Sequence, residues 1–387
     1  MSNIEKEITD LIEPLVSFRR DIHAHPELGF KEVRTSNKIT EALRDLGLEV
    51  HTGIGKTGTV GVLRSGSSDR SIALRADMDA LPINEETGLP YASKSPGVFH
   101  GCGHDGHVAM LLGAARNLTR TKKFDGTVNF VFQPAEEGLG GAKEMINDGL
   151  FDICPTDEIY ALHNWPDLKA GTLQTRPGPI MAAADKFEII LNGAGGHAAL
   201  PHQTPDTLLA ASELVTKLNS ILSRRVSAFD SAVLTVTQIN GGHTHNVIPA
   251  KVMVGGTVRT FDIEVQDRIE QSMRDMAESV AVAHEVKALT HYDRYYPATI
   301  NDPDAAEQAI RSAKNICKCA KMAPDPAFTS EDFSFMLQAK KGAYVWLGQK
   351  ENESDCPLHH PKYDFNDNVI PLGIQWYTKL VEDILAP

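Results

Sequence analysis

Continuous apolar runs alternate with helical patterns over about the first 180 residues of this 387-residue chain. The runs cover residues 59–63, 71–76 and 127–132, and a helix rich in small residues is predicted over 107–118. Strands that are apolar along their whole length are typical of a sheet covered by helices on both faces. The sequence therefore predicts an α/β fold, organised as an α/β/α sandwich.

The pattern changes in the middle of the chain. Strands and helices are predicted there in the order βαββαβ, over residues 187–191, 206–224, 232–239, 251–261, 263–283 and 286–296. This order is typical of a ferredoxin-like unit large enough to form its own domain. A helix over 304–320 and a strand over 343–347 then resume the first pattern. We therefore expect an inserted domain over 185–298 within a first domain formed by 1–184 and 299–387.

Composition and charge narrow the class of protein. The formal net charge of −13 disfavours a nucleic-acid partner, because binding to phosphates requires a basic excess. No apolar run is long enough for a membrane span, and residues 1–15 form an amphipathic helical pattern rather than a secretory signal. Five cysteines without framework spacing favour a reducing compartment. We expect a soluble, cytoplasmic protein.

Metal-binding side chains follow several of the predicted strands. Residues 100–107 carry three histidines, a cysteine and an aspartate between glycines, and Glu136 and Glu137 follow the strand that ends near residue 132. His163 follows another apolar run, and the pair His359–His360 lies near the C-terminus. Imidazole, thiolate and carboxylate are ligands of transition metals, and a carboxylate beside a metal-activated water is typical of hydrolases. The convergence of four segments favours a hydrolytic metal site.

Some of these residues have ordinary structural interpretations. A single histidine such as His163 is more often hydrogen-bonded than metal-bound, and paired acids are usually surface charge. Cys317 and Cys319 lie on different faces of the predicted helix, which favours a structural role. The glycine-rich residues 193–198 resemble a dinucleotide-binding pattern, but a proline soon afterwards argues against the required helix. His23 and His25 flank the end of a predicted helix, where a structural role is favoured.

Five sequence blocks, taken together, resemble those of one family. They occupy residues 19–29 (RRDIHAHPELG), 75–82 (RADMDALP), 100–107 (HGCGHDGH), 133–138 (QPAEEG) and 358–361 (LHHP). The chain resembles the bacterial and plant N-acyl-amino-acid amidohydrolases, which include hippurate hydrolase, aminoacylase-type enzymes and indole-acetyl-amino-acid hydrolases of the dinuclear metallopeptidase superfamily. The resemblance implies a catalytic α/β/α domain with two divalent metal ions and an inserted ferredoxin-like lid that forms a homodimer.

The resemblance also implies a ligand set. His104 and Glu137 would hold one metal, His163 and His359 the other, and Cys102 would bridge them. Zinc or manganese fits this donor set best, with cobalt or nickel as alternatives. More distant members of the superfamily carry His-x-Asp where this chain has Asp77-Met78-Asp79, which leaves the role of Asp77 open. His360 remains an alternative to its neighbour.

Catalytic and substrate-binding roles follow from the same resemblance. Glu136 would be the general base, and His197 in the lid would polarise the scissile carbonyl. Asn246 and Arg259 would bind the free carboxylate of the substrate. A solvated position at a strand end is an equal alternative for Arg259, and a turn role is the alternative for Asn246.

We therefore expect a metal-dependent hydrolase of N-acyl-L-amino acids, with a small-molecule substrate and no membrane or nucleic-acid partner. A carboxypeptidase or dipeptidase with the same site is the alternative, because both leave a free α-carboxylate beside the scissile amide. A binding protein that has lost catalysis is disfavoured, because Glu136 and all five proposed ligands are present. The sequence does not distinguish the acyl group, the amino acid or a dimer from a tetramer.

Overall fold

The computed structural model describes residues 3–353 and 355–387. The chain forms two compact units, and the two-domain α/β class expected from the sequence is confirmed. The first unit contains residues up to Ile180 together with Ile300–Asp325 and Asp332–Pro387. The second contains Met181–Thr299 and also Pro326–Glu331, a short segment that the sequence analysis assigned to the first domain.

The described strands are, in chain order, β1 (Glu49–Ile54), β2 (Gly58–Ser65), β3 (Ser71–Asp77), β4 (Gly126–Gln133), β5 (Glu158–Lys169), β6 (Leu173–Thr175), β7 (Gly178–Met181), β8 (Ala183–Asn192), β9 (Gly196–His197), β10 (Ala232–Gly241), β11 (Val247–Ile248), β12 (Lys251–Thr260), β13 (Lys287–Tyr296), β14 (Thr299–Asn301), β15 (Lys321–Met322) and β16 (Lys341–Lys350).

The described α-helices are α1 (Asn3–Ile8), α2 (Ile12–Ala24), α3 (Val33–Asp45), α4 (His104–Thr121), α5 (Glu136–Leu139), α6 (Gly141–Asn147), α7 (Leu150–Ile153), α8 (Thr207–Leu218), α9 (Ser220–Arg225), α10 (Ile263–Ala283), α11 (Pro303–Lys314), α12 (Phe333–Ala339) and α13 (Ile370–Ile384). None of the described helices is both long and apolar enough to cross a membrane.

The first unit is built on an eight-stranded sheet in the order β1-β2-β4-β3-β5-β16-β6-β15. The central strands β4, β3, β5 and β16 are parallel, whereas β1 and β2 extend the sheet in antiparallel pairing. Strand β3 is buried along its whole length, as expected for a parallel strand covered on both faces. Because parallel strands end at the same edge, this sheet brings the segments that follow β3 and β4 together.

Helix α4 lies at the centre of the first unit. It contacts α2, α13 and β3, and nearly all of its side chains are buried, which explains its small residues. Gly103 precedes the helix with a φ of 86°, and a Cβ atom there would lie 2.5 Å from Oδ1 of Asn164. Glycine is therefore required between Cys102 and His104.

The second unit has the ferredoxin-like topology predicted from its βαββαβ pattern. Its sheet has the order β10-β12-β8-β13, with every neighbouring pair antiparallel, and its own hydrophobic core is formed with α8, α9 and α10. Asp206 and Asp262 cap α8 and α10 by accepting hydrogen bonds from backbone amides of the first turn. Strands β10 and β13 form the two edges of this sheet.

Several predicted boundaries differ from the structure. The helix predicted over 206–224 is divided into α8 and α9, and the one predicted over 304–320 ends at Lys314. Cys317 and Cys319 therefore lie outside a helix, where Sγ of Cys317 donates to the carbonyl of Gly171. The N-terminal helical pattern forms α1, a 3₁₀ turn and the start of α2, and its first two residues lie outside the described residues.

Candidate metal centre and active site

A cluster of metal-binding side chains lies at the carboxyl edge of the parallel strands of the first unit. Donor atoms of Cys102, His104 and Glu137 all lie within 4.8 Å of one another. The first two residues flank the turn before α4, and Glu137 lies in α5 after the end of β4. The fold therefore brings together three of the five predicted metal ligands.

Asp79 orients two members of this cluster. Nδ1 of His104 lies 3.0 Å from the carbonyl oxygen of Asp79 and 3.2 Å from its Oδ1, so Nδ1–H donates to Asp79. Oδ2 of Asp79 accepts a hydrogen bond of 2.9 Å from the backbone amide of Glu137. Burial lowers the pKa of His104, but Asp77, Asp79 and Glu137 raise it by more, to about 10, so a metal ion would have to displace the proton on Nε2. Because Asp79 holds Nδ1–H, Nε2 is the nitrogen that remains for a metal.

The donor atoms fit a divalent cation. Nε2 of His104 is buried and has no hydrogen-bond partner among the described residues, although Oε1 of Glu137 lies 4.0 Å away. Such a separation is too long for a hydrogen bond but suits two ligands of one cation, each about 2.0–2.2 Å from it. Burial raises the pKa of Cys102, and the carboxylates of Glu137, Glu136 and Asp77 raise it further. Nearby cations would reverse this effect and stabilise the thiolate.

His163 lies on the other side of Cys102. Its Nε2 is 3.6 Å from Sγ of Cys102, and its Nδ1 donates to the carbonyl of Asn164 at 2.7 Å. Burial, with the neighbouring His107, holds the pKa of His163 well below its usual range, so this imidazole is neutral as a ligand must be. His163 lies within β5 rather than at its end, because the strand continues to Lys169.

The structure distinguishes the two adjacent histidines near the C-terminus. Nε2 of His359 lies 3.1 Å from Oε1 of Glu137, and its backbone amide donates to the carbonyl of Gly101. His359 has a φ of 64°, in the left-handed region that residues other than glycine adopt only uncommonly. The ring of His360 instead accepts a hydrogen bond from the amide of Lys362. His359 is therefore the histidine of this pair that contacts the cluster.

Glu136 lies beside the proposed metal ligands and is not itself proposed as a ligand. It begins α5, its side chain is buried, and its Oε1 accepts a hydrogen bond of 3.4 Å from the backbone amide of Asp332. A carboxylate in this position can accept a proton from a water molecule held between the donor groups.

Sequence reasoning assigned no role to Asp79. Nδ1 of His107 lies 2.5 Å from Oδ1 of Asp77, and its Nε2 contacts Asn164. Asp77, His104, His107 and His163 form a second group of donor atoms within 4.8 Å. The carboxylates that alternate at the end of β3, in Asp77-Met78-Asp79, are the signal that could have identified both aspartates.

A buried network of charged side chains lies at the first turn of α4. Asp105 accepts hydrogen bonds from Arg19 at 3.1 Å and from His23 at 2.9 Å, and all three side chains are fully buried. Glu85 approaches the other ring nitrogen of His23 at 3.4 Å. This arrangement explains His23 as part of a structural network. It also joins α2 to the start of α4.

The remaining predicted residues lie in the second unit. His197 is on β9 and pairs with Val247 of β11, and the amide of Ala198 donates to the carbonyl of Asn246. His197, predicted to be catalytic, and Asn246, predicted to bind the substrate, are therefore neighbours at one small two-stranded sheet, and both are exposed.

Arg259 lies on β12, between β8 and β10. Its guanidinium donates to the side chain of Thr257 and, at 3.0 Å, to the carbonyl of Val258. Burial lowers the pKa of Arg259, with a smaller opposing effect from Asp185. Its side chain is partly buried, and the residue lies directly before the last residue of β12.

Comparisons with known proteins agree with this architecture. Residues 73–383 match the family described as peptidase family M20/M25/M40. The chain is 41% identical to a hippurate hydrolase from Campylobacter jejuni, over 98% of each chain. It is 40% identical to an N-acetyl-L-cysteine deacetylase from Bacillus subtilis, over 94% of this chain and 86% of the other.

Among solved structures, a Bacillus subtilis protein described as a dinuclear metal-binding peptidase of family M20 superposes with a TM-score of 0.85. The two sequences are 33% identical, and the match covers 97% of this chain and 99% of the other. Since both the sequence relationship and the fold extend over nearly the whole chain, the protein belongs to peptidase family M20/M25/M40.

Proposed function

We propose that this protein hydrolyses the amide bond of N-acyl-L-amino acids and releases a carboxylic acid and a free amino acid. The observation that carries the proposal is the cluster of Cys102, His104 and Glu137 with the buried carboxylate of Glu136 beside it. Relatives at about 40% identity are named as a hippurate hydrolase and an N-acetyl-L-cysteine deacetylase, which both act on such amides.

Two divalent cations complete the proposed site. His104 and Glu137 would hold one, His163 and His359 would hold the other, and Cys102 would be available to both. Zinc or manganese is the expected metal, with cobalt or nickel as alternatives. When bound, such cations lower the pKa of a water molecule and polarise the carbonyl of the substrate.

In the proposed reaction, side chains of the protein accept and donate the protons that hydrolysis of the amide requires. Glu136 takes a proton from the attacking water and delivers it to the leaving amine nitrogen. His197 donates from Nε2 to the carbonyl oxygen as negative charge develops there. The hydrogen bond of 3.0 Å from the amide of Ala199 to Nδ1 of His197 supports this role, because it leaves the proton on Nε2. Asn246 and Arg259 bind the α-carboxylate.

We also propose that the protein is a cytoplasmic homodimer formed through the second unit. All five cysteines are free thiols, which suits a reducing compartment. The edge strand β10 has no charged residue, whereas the opposite edge strand, β13, carries Lys287, Asp293 and Arg294. Charges protect an edge from pairing with another strand, so β10 is the edge suited to a second copy.

The substitution Glu136→Gln tests the proposed reaction. Because an amide cannot accept the proton, we expect kcat on N-benzoyl- or N-acetyl-amino acids to fall about 10²–10⁴-fold, with the metal content unchanged. Elemental analysis and a substrate panel that includes dipeptides would measure both. Glu41→Gln, on the exposed side of α3, is the matched control. Near-normal turnover by a fully metallated Glu136→Gln variant would contradict the assignment.

A further inference from the structure

The backbone amides of the residues before and after Glu136 each donate to a buried carboxylate. The amide of Ala135 donates to Oε1 of Glu32 at 2.9 Å. The amide of Glu137 donates to Oδ2 of Asp79, also at 2.9 Å. Asp79 lies beside the proposed metal ligands, whereas Glu32 is in the loop between α2 and α3, which supplies no proposed ligand or base. The proposed reaction therefore leaves the buried carboxylate of Glu32 without a role.

The turn that leads into Glu136 depends on support from outside its own segment. Ala135 has a φ of 54°, in the left-handed region that residues other than glycine adopt only uncommonly. Ala135 is fully buried, so its amide needs a partner within the protein. The two residues after Glu136 also depart from helical geometry, with a ψ of 74° at Glu137 and a φ of 81° at Gly138. The four-residue helix α5 therefore cannot fix the direction of the Glu136 side chain by itself.

The loop that carries Glu32 packs directly against this turn. A Cβ atom on Gly29 would lie 3.0 Å from Cβ and 3.1 Å from Cα of Ala135, so glycine permits the close approach. The second carboxylate oxygen of Glu32, Oε2, accepts a hydrogen bond of 2.7 Å from Oγ1 of Thr57. Because both oxygens accept hydrogen bonds and the side chain is fully buried, the carboxylate is held in one orientation, with Oε1 facing the amide of Ala135.

We propose that Glu32 is a positioning residue for the hydrolysis. By accepting from the amide of Ala135, it holds the turn that directs the carboxylate of Glu136 towards the attacking water. This inference rests on the proposed function, because it takes Glu136 as the general base. It assigns a role in the reaction to a loop that provides neither a proposed metal ligand nor a proposed substrate-binding residue.

The hydrogen bond does not require a charge on Glu32. Burial raises the pKa of Glu32, the hydrogen bond from Thr57 opposes this effect and the Asp79 carboxylate adds to it, giving a value of about 7. The neutral carboxyl group still has a carbonyl oxygen that can accept from the amide of Ala135. Glutamine has the same shape and the same acceptor, so Glu32→Gln should keep the turn in place. Alanine has no acceptor, so Glu32→Ala leaves the buried amide unpaired.

Kinetics of the metal-loaded full chain test the proposal. We expect Glu32→Ala to lower kcat on N-benzoyl- or N-acetyl-amino acids about 10–100-fold with little change in KM, since a displaced base slows the reaction without altering the substrate-binding residues. Glu32→Gln should retain most of the activity. Glu27→Ala is the matched control and should leave kcat unchanged, because Glu27 is in the same loop but accepts from the amides of Arg34 and Thr35 at the start of α3. Wild-type kcat in Glu32→Ala, or an equal loss in Glu32→Ala and Glu32→Gln, would overturn the proposal.

A double-mutant cycle separates the positioning of Glu136 from general damage to the fold. In a Glu136→Gln background, Glu32→Ala should have no further effect on kcat, because the group that it positions is already absent. A loss as large as in the wild-type background would show that Glu32 does not act through Glu136. Near-normal turnover by Glu136→Gln alone would refute the proposed base. An inactive Glu136→Gln variant beside a fully active Glu32→Ala variant would refute only the positioning role.

Hydrogen exchange followed by mass spectrometry gives a measurement that does not depend on activity. We expect the peptide that contains Ala135 to exchange faster in Glu32→Ala than in the wild type, and at the wild-type rate in Glu32→Gln. Glu32→Asp, whose side chain is shorter by one methylene group, provides the same comparison if Glu32→Ala does not fold. Unchanged exchange at Ala135 in the folded variant would mean that Glu32 does not hold this turn, and the proposal would be wrong.

Discussion

The histidines proposed to act in the two units are held in different ways. In the first unit, His104 and His163 are buried, and Nδ1–H of each ring donates a hydrogen bond to a backbone carbonyl, whereas His359 is exposed. In the second, His197 and Asn246 are exposed on strands of only two residues or directly beside them. Metal ligands must be oriented in advance, whereas groups that bind a substrate must be reachable from solvent.

The role of the exposed residue His197 can be tested first. We expect His197→Ala to lower kcat about 10²–10³-fold without loss of metal, because it removes one donor to the carbonyl oxygen but no ligand. Kinetics combined with elemental analysis would measure both quantities. His202→Ala, at a nearby exposed position, is the control. An unchanged kcat would remove His197 from the reaction.

Mixing variants would show which copy uses His197. If His197 acts across the proposed dimer, a mixture of His197→Ala and Glu136→Gln chains should regain activity, because one composite site is then complete. A mixture as inactive as its components would place His197 in the site of its own chain.

The orientation of the buried ligands can be tested by substitution of Asp79. In Asp79→Asn, the backbone carbonyl that accepts from Nδ1–H of His104 is retained, but the side-chain amide can accept only one of the two hydrogen bonds that the carboxylate accepts from His104 and Glu137. One of these two proposed ligands is then less well oriented, and we expect metal affinity to fall about 10–100-fold. Competition with a chelator would measure the dissociation constant, with the exposed Asp69→Asn as control. An unchanged constant would show that the Asp79 carboxylate does not orient these ligands.

The sequence predicted the fold class well because each unit has its own periodicity: apolar parallel strands in one and a βαββαβ order in the other. It also predicted a metal site where segments after parallel strands meet at one sheet edge, and the family resemblance implied Cys102, His104 and Glu137 among the ligands; the structure brings these three together. It could not show that Asp79 reaches both His104 and Glu137, since that depends on side-chain direction. The break after Lys314 was also missed, because a helical composition continues beyond it.

The buried network of Arg19, His23 and Asp105 is expected to affect stability rather than catalysis. Burial lowers the pKa of His23, whereas Asp105 and Glu85 raise it by more, to about 9. A folded-state pKa above the unfolded value of about 6.5 stabilises the fold below pH 6.5, and this contribution is lost as the pH rises through 9. It is of the order of 3 kcal/mol. We therefore expect His23→Gln to lower the free energy of unfolding much more at pH 6 than at pH 9.5.

Urea unfolding at the two pH values would measure this difference, with His291→Gln on the exposed edge strand β13 as the control. An equal loss of stability at both pH values would mean that the His23 ring contributes by packing and not by its charge. Because the ring contacts Asp105 rather than a proposed ligand, the variant should keep its metal content at pH 9.5, where the fold no longer depends on the charge. Loss of metal at pH 9.5 would instead mean that the network positions the turn between Cys102 and His104. The stability of the first unit and its affinity for metal would then be coupled.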